Sequence, residues 1–204
     1  MPDKISISID VFRDKSAGDF TAALADPEGK LETGSACAYT AALSAALLLR
    51  AATVSAAEGG NERAEYIRRN AETLRAYMVH LIDEDVKCRA PLKRALREGS
   101  ERDIEASRRT AVAIAAEVVN MMGQGLELAR ELTGLAPKDA LHWLGESAEL
   151  AMAAVRSARL YIVDMGDKSS DETYRFVTRR ENEITLSQCA ELYGDILHAV
   201  EKAV

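Results

Sequence analysis

The chain has 204 residues, 48% of them apolar and 29% charged, with a formal charge of −7. That length suits one sizeable core, and the balance is that of an ordinary globular protein rather than a disordered one. The acidic excess argues against nucleic acid as partner, because gripping a phosphate backbone needs concentrated lysine and arginine.

Aromatic residues are only 5%, so alanine, leucine, valine and isoleucine must fill the core. The first ten residues, MPDKISISID, lack the apolar run of a signal peptide, which gives the cytoplasm as the expected location. Cys37, Cys88 and Cys189 are odd in number and far apart, with no pair at ligand spacing, and read as reduced thiols.

In chain order, SISIDVF at residues 6–12 alternates weakly and carries β-branched side chains, which suggests a short strand or an extended arm within residues 1–15. Ser16 is placed to cap a short helix over residues 17–25, ended by Asp26-Pro27. Residues 34–58, GSACAYTAALSAALLLRAATVSAAE, contain no proline and no glycine after Gly34. Alanine and leucine are the strongest helix formers, and small apolar side chains fall on every face. Such a helix either crosses a membrane or is enclosed by other helices. Its Ala/Ser/Thr content and its charged surroundings favour the enclosed, non-membrane reading.

Gly59-Gly60 stops that helix, and Asn61 caps the next, over residues 62–90. Ile67, Ala71, Leu74, Met78, Leu81, Asp85 and Cys88 recur at steps of three and four and share one face. Pro91 should kink or interrupt the segment before Gly99-Ser100 ends it. Ser100 then caps a helix over residues 101–132, with Ala111, Ile114, Val118, Met121, Gly125, Leu128 and Leu132 as its stripe. A further helix covers residues 138–164, and Ser169 or Ser170 caps a last one running to residue 203. The expected fold is all-α: a single domain over residues 1–204, five long helices around the alanine-rich one, with a short N-terminal addition. Helices this long often pair with a second copy, so a homodimer is expected.

Asp85 is the most informative position. Six of the seven residues in its stripe are apolar or sulfur-bearing, and burial there raises a carboxylate's pKa. Such a group suits acid–base chemistry, although many perturbed carboxylates are only structural. Asp83 and Glu84 point elsewhere around the helix and read as surface charge. Lys87, Arg89, Lys93, Arg94 and Arg97 form the densest basic run, able to attract an anion or simply solvated. Glu117, Asn120 and Gln124 interrupt an apolar helix, so they line a cleft or bond across an interface. His80, His142 and His198 are isolated, and no metal-ligand spacing exists.

The segment GSACAYTAALSAALLLRAA resembles the glycine-rich to alanine-rich stretch of the formimidoyltetrahydrofolate cyclodeaminase and methenyltetrahydrofolate cyclohydrolase family. The similarity continues in order through Phe20–Ala25, LIDEDVKC, ELTGLAPKDAL, AVRSARLYIV and DKSSDE, over roughly residues 17–200. It implies an all-helical dimer that acts on a tetrahydrofolate one-carbon adduct, with no metal and no covalently bound cofactor. Position by position, it makes Asp85 the catalytic acid–base residue. Gly34, Ser35 and Arg156 become substrate-binding by the same correspondence, and Lys87 and Arg89 of the basic run would meet the folate's glutamate tail, although Arg89 stands where the family usually has an aromatic. Two reactions are implied: hydrolysis of 5,10-methenyltetrahydrofolate to 10-formyltetrahydrofolate, or cyclodeamination of 5-formimidoyltetrahydrofolate. Several positions depart from the family. Its Thr-Pro-Gly-Gly-Gly segment is here Glu32-Thr33-Gly34-Ser35, its Ser-Asp pair is missing, and Tyr161 stands where it has an asparagine. These departures keep open an alternative, a non-catalytic helical dimer of the same fold that binds a small ligand or a partner protein.

Overall fold

A computed structural model describes residues 11–203. Seven helices follow in order: α1 (Ala17–Ala25), α2 (Thr33–Gly59), α3 (Glu62–Glu98), α4 (Glu101–Ala111), α5 (Ala113–Leu132), α6 (Lys138–Asp167) and α7 (Glu172–Ala203). Among the described residues there is no strand. Most of SISIDVF lies outside them; Val11 and Phe12, which are described, are irregular.

α2 is the centre. It packs against α3, α5 and α6, and Ala38, Ala41, Ala45, Ala51 and Ala52 are fully buried. By length and composition α2 is apolar enough to cross a membrane, but here other helices enclose much of it. Its small side chains let neighbours approach closely. The Ser44 hydroxyl donates to the Ser147 carbonyl of α6 at 2.8 Å, and the Ser147 hydroxyl donates back to the Ser44 carbonyl at 2.9 Å. A larger residue at either position would force the two backbones apart.

Caps fall largely where expected. Ser16 accepts from the Asp19 N–H at 3.1 Å, Asn61 from the Arg63 N–H at 2.9 Å, and Ser100 forms a capping box with Asp103. Gly60 takes a left-handed φ of 57°, which only glycine adopts at little cost, and turns the chain from α2 into α3. The cap of α7 differs: Asp171 accepts from the Tyr174 N–H at 3.0 Å, while the Ser169 hydroxyl braces Asp171.

Two expectations about helix ends are corrected. α3 runs unbroken through Pro91 to Glu98. A mid-helix proline costs about 3 kcal/mol, and the burial of Leu92 and Ala95 beyond it, beside α4, offsets that cost. The stretch over residues 101–132 is two helices, broken at Val112. α4 is tied to the turn before α7 through Arg109, which lies 2.8 Å from Asp171. α5 turns away from that anchor so that Ile114, Val118, Met122 and Leu126 enter the core. Asp83 is also corrected: it is buried rather than on the surface. It accepts from the Phe12 N–H at 2.7 Å, because the N-terminal segment crosses that side of α3. Asn120 and Gln124 line a groove of about 450 Å³ between α5 and α7.

Candidate active site

α2 begins without a cap of its own. Glu32, just before it, is extended, and its side chain bonds none of the first-turn N–H groups. Those groups and the positive end of a long helix dipole favour a negative acceptor. Asp85 supplies one from α3. Its Oδ2 accepts from the Ser35 N–H at 2.9 Å and from the Ser35 hydroxyl at 3.1 Å. The hydroxyl also lies 2.9 Å from the Ile82 carbonyl, so its one proton is shared between two acceptors.

This approach depends on Gly34. A Cβ built there would overlap the Asp85 carboxylate, so a side chain at position 34 and this placement of Asp85 exclude each other. The glycine and the aspartate, 51 positions apart in the chain, form one feature.

Asp85 is 0% exposed. Burial raises its pKa from 3.8 to about 6, against the opposing pull of the Ser35 bonds and the Lys93 charge. Oδ2 is occupied by the cap. Oδ1 is buried and has no hydrogen-bond partner among the described residues. A carboxyl group held by one oxygen, free at the other and titrating near neutrality can take up or release a proton there. One turn further on, Arg89 is buried with its guanidinium 5.0 Å from the Tyr161 ring centroid. Arg89 pairs with Glu32, and Glu32 also lies 2.8 Å from Lys93. Arg89 Nε and Nη1 and the Tyr161 hydroxyl are buried and meet no partner at full hydrogen-bond geometry among the described residues, but the Tyr161 hydroxyl and the Arg89 guanidinium lie close enough to interact with each other.

Beside this cluster lies a cavity of about 520 Å³, walled by Leu24, Leu31, Glu32, Thr33, Cys37 and Ser157 among others. Asp85 is not one of its walls; residues of the turn it caps are. The Cys37 thiol is pushed up to about 12, by burial first and by the Asp85 charge second, so it is no nucleophile at neutral pH.

Of the residues singled out in the sequence, Gly34, Ser35 and Asp85 are in contact and Arg89 lies one turn beyond them. Lys87 and Arg156 do not join them. Lys87 is exposed and 2.6 Å from Glu84. Arg156 is exposed with its guanidinium 5.9 Å from the Tyr193 ring centroid, while its neighbour Ser157 reaches the cavity. Sequence reasoning gave no site role to Glu32 or Tyr161. Their signal was their place, since both stand where the chain departs from the family pattern.

Fold and site together define an all-helical protein with a shielded carboxyl group at the N-terminus of its central helix. The chain belongs to the formiminotransferase-cyclodeaminase family, whose model matches residues 16–183. Its fold is shared with the crystal structure of formiminotetrahydrofolate cyclodeaminase from Thermotoga maritima. The TM-score is 0.86 at 19% identity, over 93% of this chain and 97% of that one. No curated protein matches the chain.

Proposed function

We propose that the protein is a folate one-carbon enzyme in which Asp85 is the acid–base residue. Membership of the formiminotransferase-cyclodeaminase family supports the substrate class. The single observation that carries the chemistry is the unpartnered Oδ1 of a buried carboxyl group titrating near 6. In the hydrolytic direction, water adds to the methenyl carbon while Asp85 takes one of its protons. The adduct's hydroxyl proton is lost as the bond to N5 breaks, N5 is protonated, and one proton leaves to solvent. In the cyclodeaminating direction, N10 attacks the formimidoyl carbon, the N10 proton passes to the former imino nitrogen, protonated Asp85 supplies a second proton, and ammonia leaves as the methenyl cation forms. Gly34 and Ser35 fix the carboxylate, and Arg89 bears on the ligand's anionic part. Lys87 and Arg156 would serve at most the outer reach of a long ligand.

One observation favours the alternative, a non-catalytic member of the fold. Asp85 is fully shielded and absent from the walls of the neighbouring cavity, so catalysis requires the first turn of α2 or the Arg89 side chain to move. Loss of methenyltetrahydrofolate absorbance decides between them. Turnover above the buffer rate that disappears in Asp85→Asn fits the enzyme; no turnover at high protein concentration removes it.

The proposal includes a homodimer in the cytoplasm. Leu43 of α2 is 45% exposed and Leu160 of α6 is 67% exposed, large apolar side chains that a second copy would cover. Sedimentation velocity tests the pairing, and Leu160→Glu should shift a dimer towards monomer.

A further inference from the structure

We propose that Arg89 and Lys93 form a carboxylate-binding site, and that Glu32 occupies it as an internal stand-in until a ligand carboxylate displaces it. The inference deepens the folate reading by naming the ligand's anionic group and the residue that competes with it.

The geometry is that of a bound carboxylate. Glu32 Oε2 meets Arg89 Nη2 while Oε1 lies 2.8 Å from Lys93 Nζ, so each oxygen faces its own cation. The Arg89 side chain is only 10% exposed, and two further nitrogens of its guanidinium, Nε and Nη1, have no acceptor among the described residues. One Glu carboxylate thus leaves Nε and Nη1 of a buried, fork-shaped donor without a charged acceptor, although such a fork favours bidentate recognition. The Tyr161 hydroxyl, buried in the same cluster, interacts with this guanidinium but brings it no negative charge.

Glu32 is built to move. It precedes α2, its side chain makes no cap hydrogen bond to that helix, and that side chain is 33% exposed at the cavity wall. Leu31, immediately before it, is 2% exposed and anchors the backbone. Rotation of the side chain therefore frees the two cations without unravelling the helix. A neutral or singly charged ligand gains little from displacing Glu32, whereas a dicarboxylate replaces the lost ion pair and reaches the unused nitrogens. Glu32 in this way sets specificity by competition.

The probe is N-(4-aminobenzoyl)-L-glutamate, titrated calorimetrically into wild type, Glu32→Gln, Glu32→Gln/Arg89→Gln and Glu32→Gln/Lys93→Gln. Glu32→Gln is isosteric and removes only the competing charge, so it should bind at least tenfold more tightly than wild type. Both double variants should lose the gain. Lys93, whose side chain is 45% exposed, provides the second test if loss of buried Arg89 impairs folding, and urea midpoints report that directly. Equal or weaker binding by Glu32→Gln, or a gain that survives loss of either cation, overturns the proposal. No turnover of methenyltetrahydrofolate is a separate failure: it removes the enzyme reading and leaves this titration interpretable.

Discussion

Replacing Asp85 by asparagine should change how stability depends on pH, in a direction fixed by the site. The folded-state pKa is about 6 against an ordinary 3.8, so the folded protein holds this proton more tightly than the unfolded chain. A raised acid of this kind adds stability when protonated, and that stability is lost as pH rises through about 6. The difference between 3.8 and about 6 corresponds to about 3 kcal/mol. Between about pH 7.5 and about pH 4.5, the linkage relation gives the wild type a gain of about 2 kcal/mol from this group alone. No discount for solvent applies, because the side chain is 0% exposed. Asparagine retains an acceptor for the Ser35 N–H but cannot titrate. Other carboxylates complicate the absolute curve. Glu65, Glu72 and Glu131, held below their usual range by hydrogen bonds to arginine, make the fold less stable as pH falls. They are common to both proteins, so the difference between wild type and Asp85→Asn isolates the one group. Urea unfolding at four pH values measures it. Parallel curves for the two proteins would show that Asp85 titrates normally and that its burial does not carry the proposed chemistry.

Other consequences can be checked alongside. If Asp85 accepts a proton during hydrolysis, kcat/KM should rise with pH through about 6 and then level off. Gly34→Ala should expel the carboxylate from its cap, costing about 2–3 kcal/mol in urea unfolding through lost buried hydrogen bonds; an unchanged midpoint would contradict the contact. Ser35→Ala removes the hydroxyl but not the N–H, so about 1 kcal/mol should be lost and the pH–rate inflection should move upward. Ser44→Leu should destabilise by about 1–3 kcal/mol, by overpacking the contact with Ser147. Cys37 and Cys189, both buried, should resist iodoacetamide in the native protein and react once it is unfolded.

Some of this protein was present in its sequence because the relevant physics is local. The alanine-rich run over residues 34–58 cannot expose every face to water, so it had to become the enclosed helix. The stripe from Ile67 to Asp85 repeats at helical spacing, which by itself sets the carboxylate among apolar neighbours. Ser16, Asn61 and Ser100 act as caps through bonds spanning two or three residues. Where tertiary packing outweighs local preference, the sequence misled: proline tolerated within α3, a break at Val112, and Asp83 drawn inward by the N-terminal segment. The site itself lay beyond sequence reading. That Asp85 caps α2 across 50 residues, that Gly34 is small on its account, and that Glu32 lies between Arg89 and Lys93 are contacts between distant segments. Periodicity gives the face a side chain occupies, but only the packed helices decide what stands opposite it.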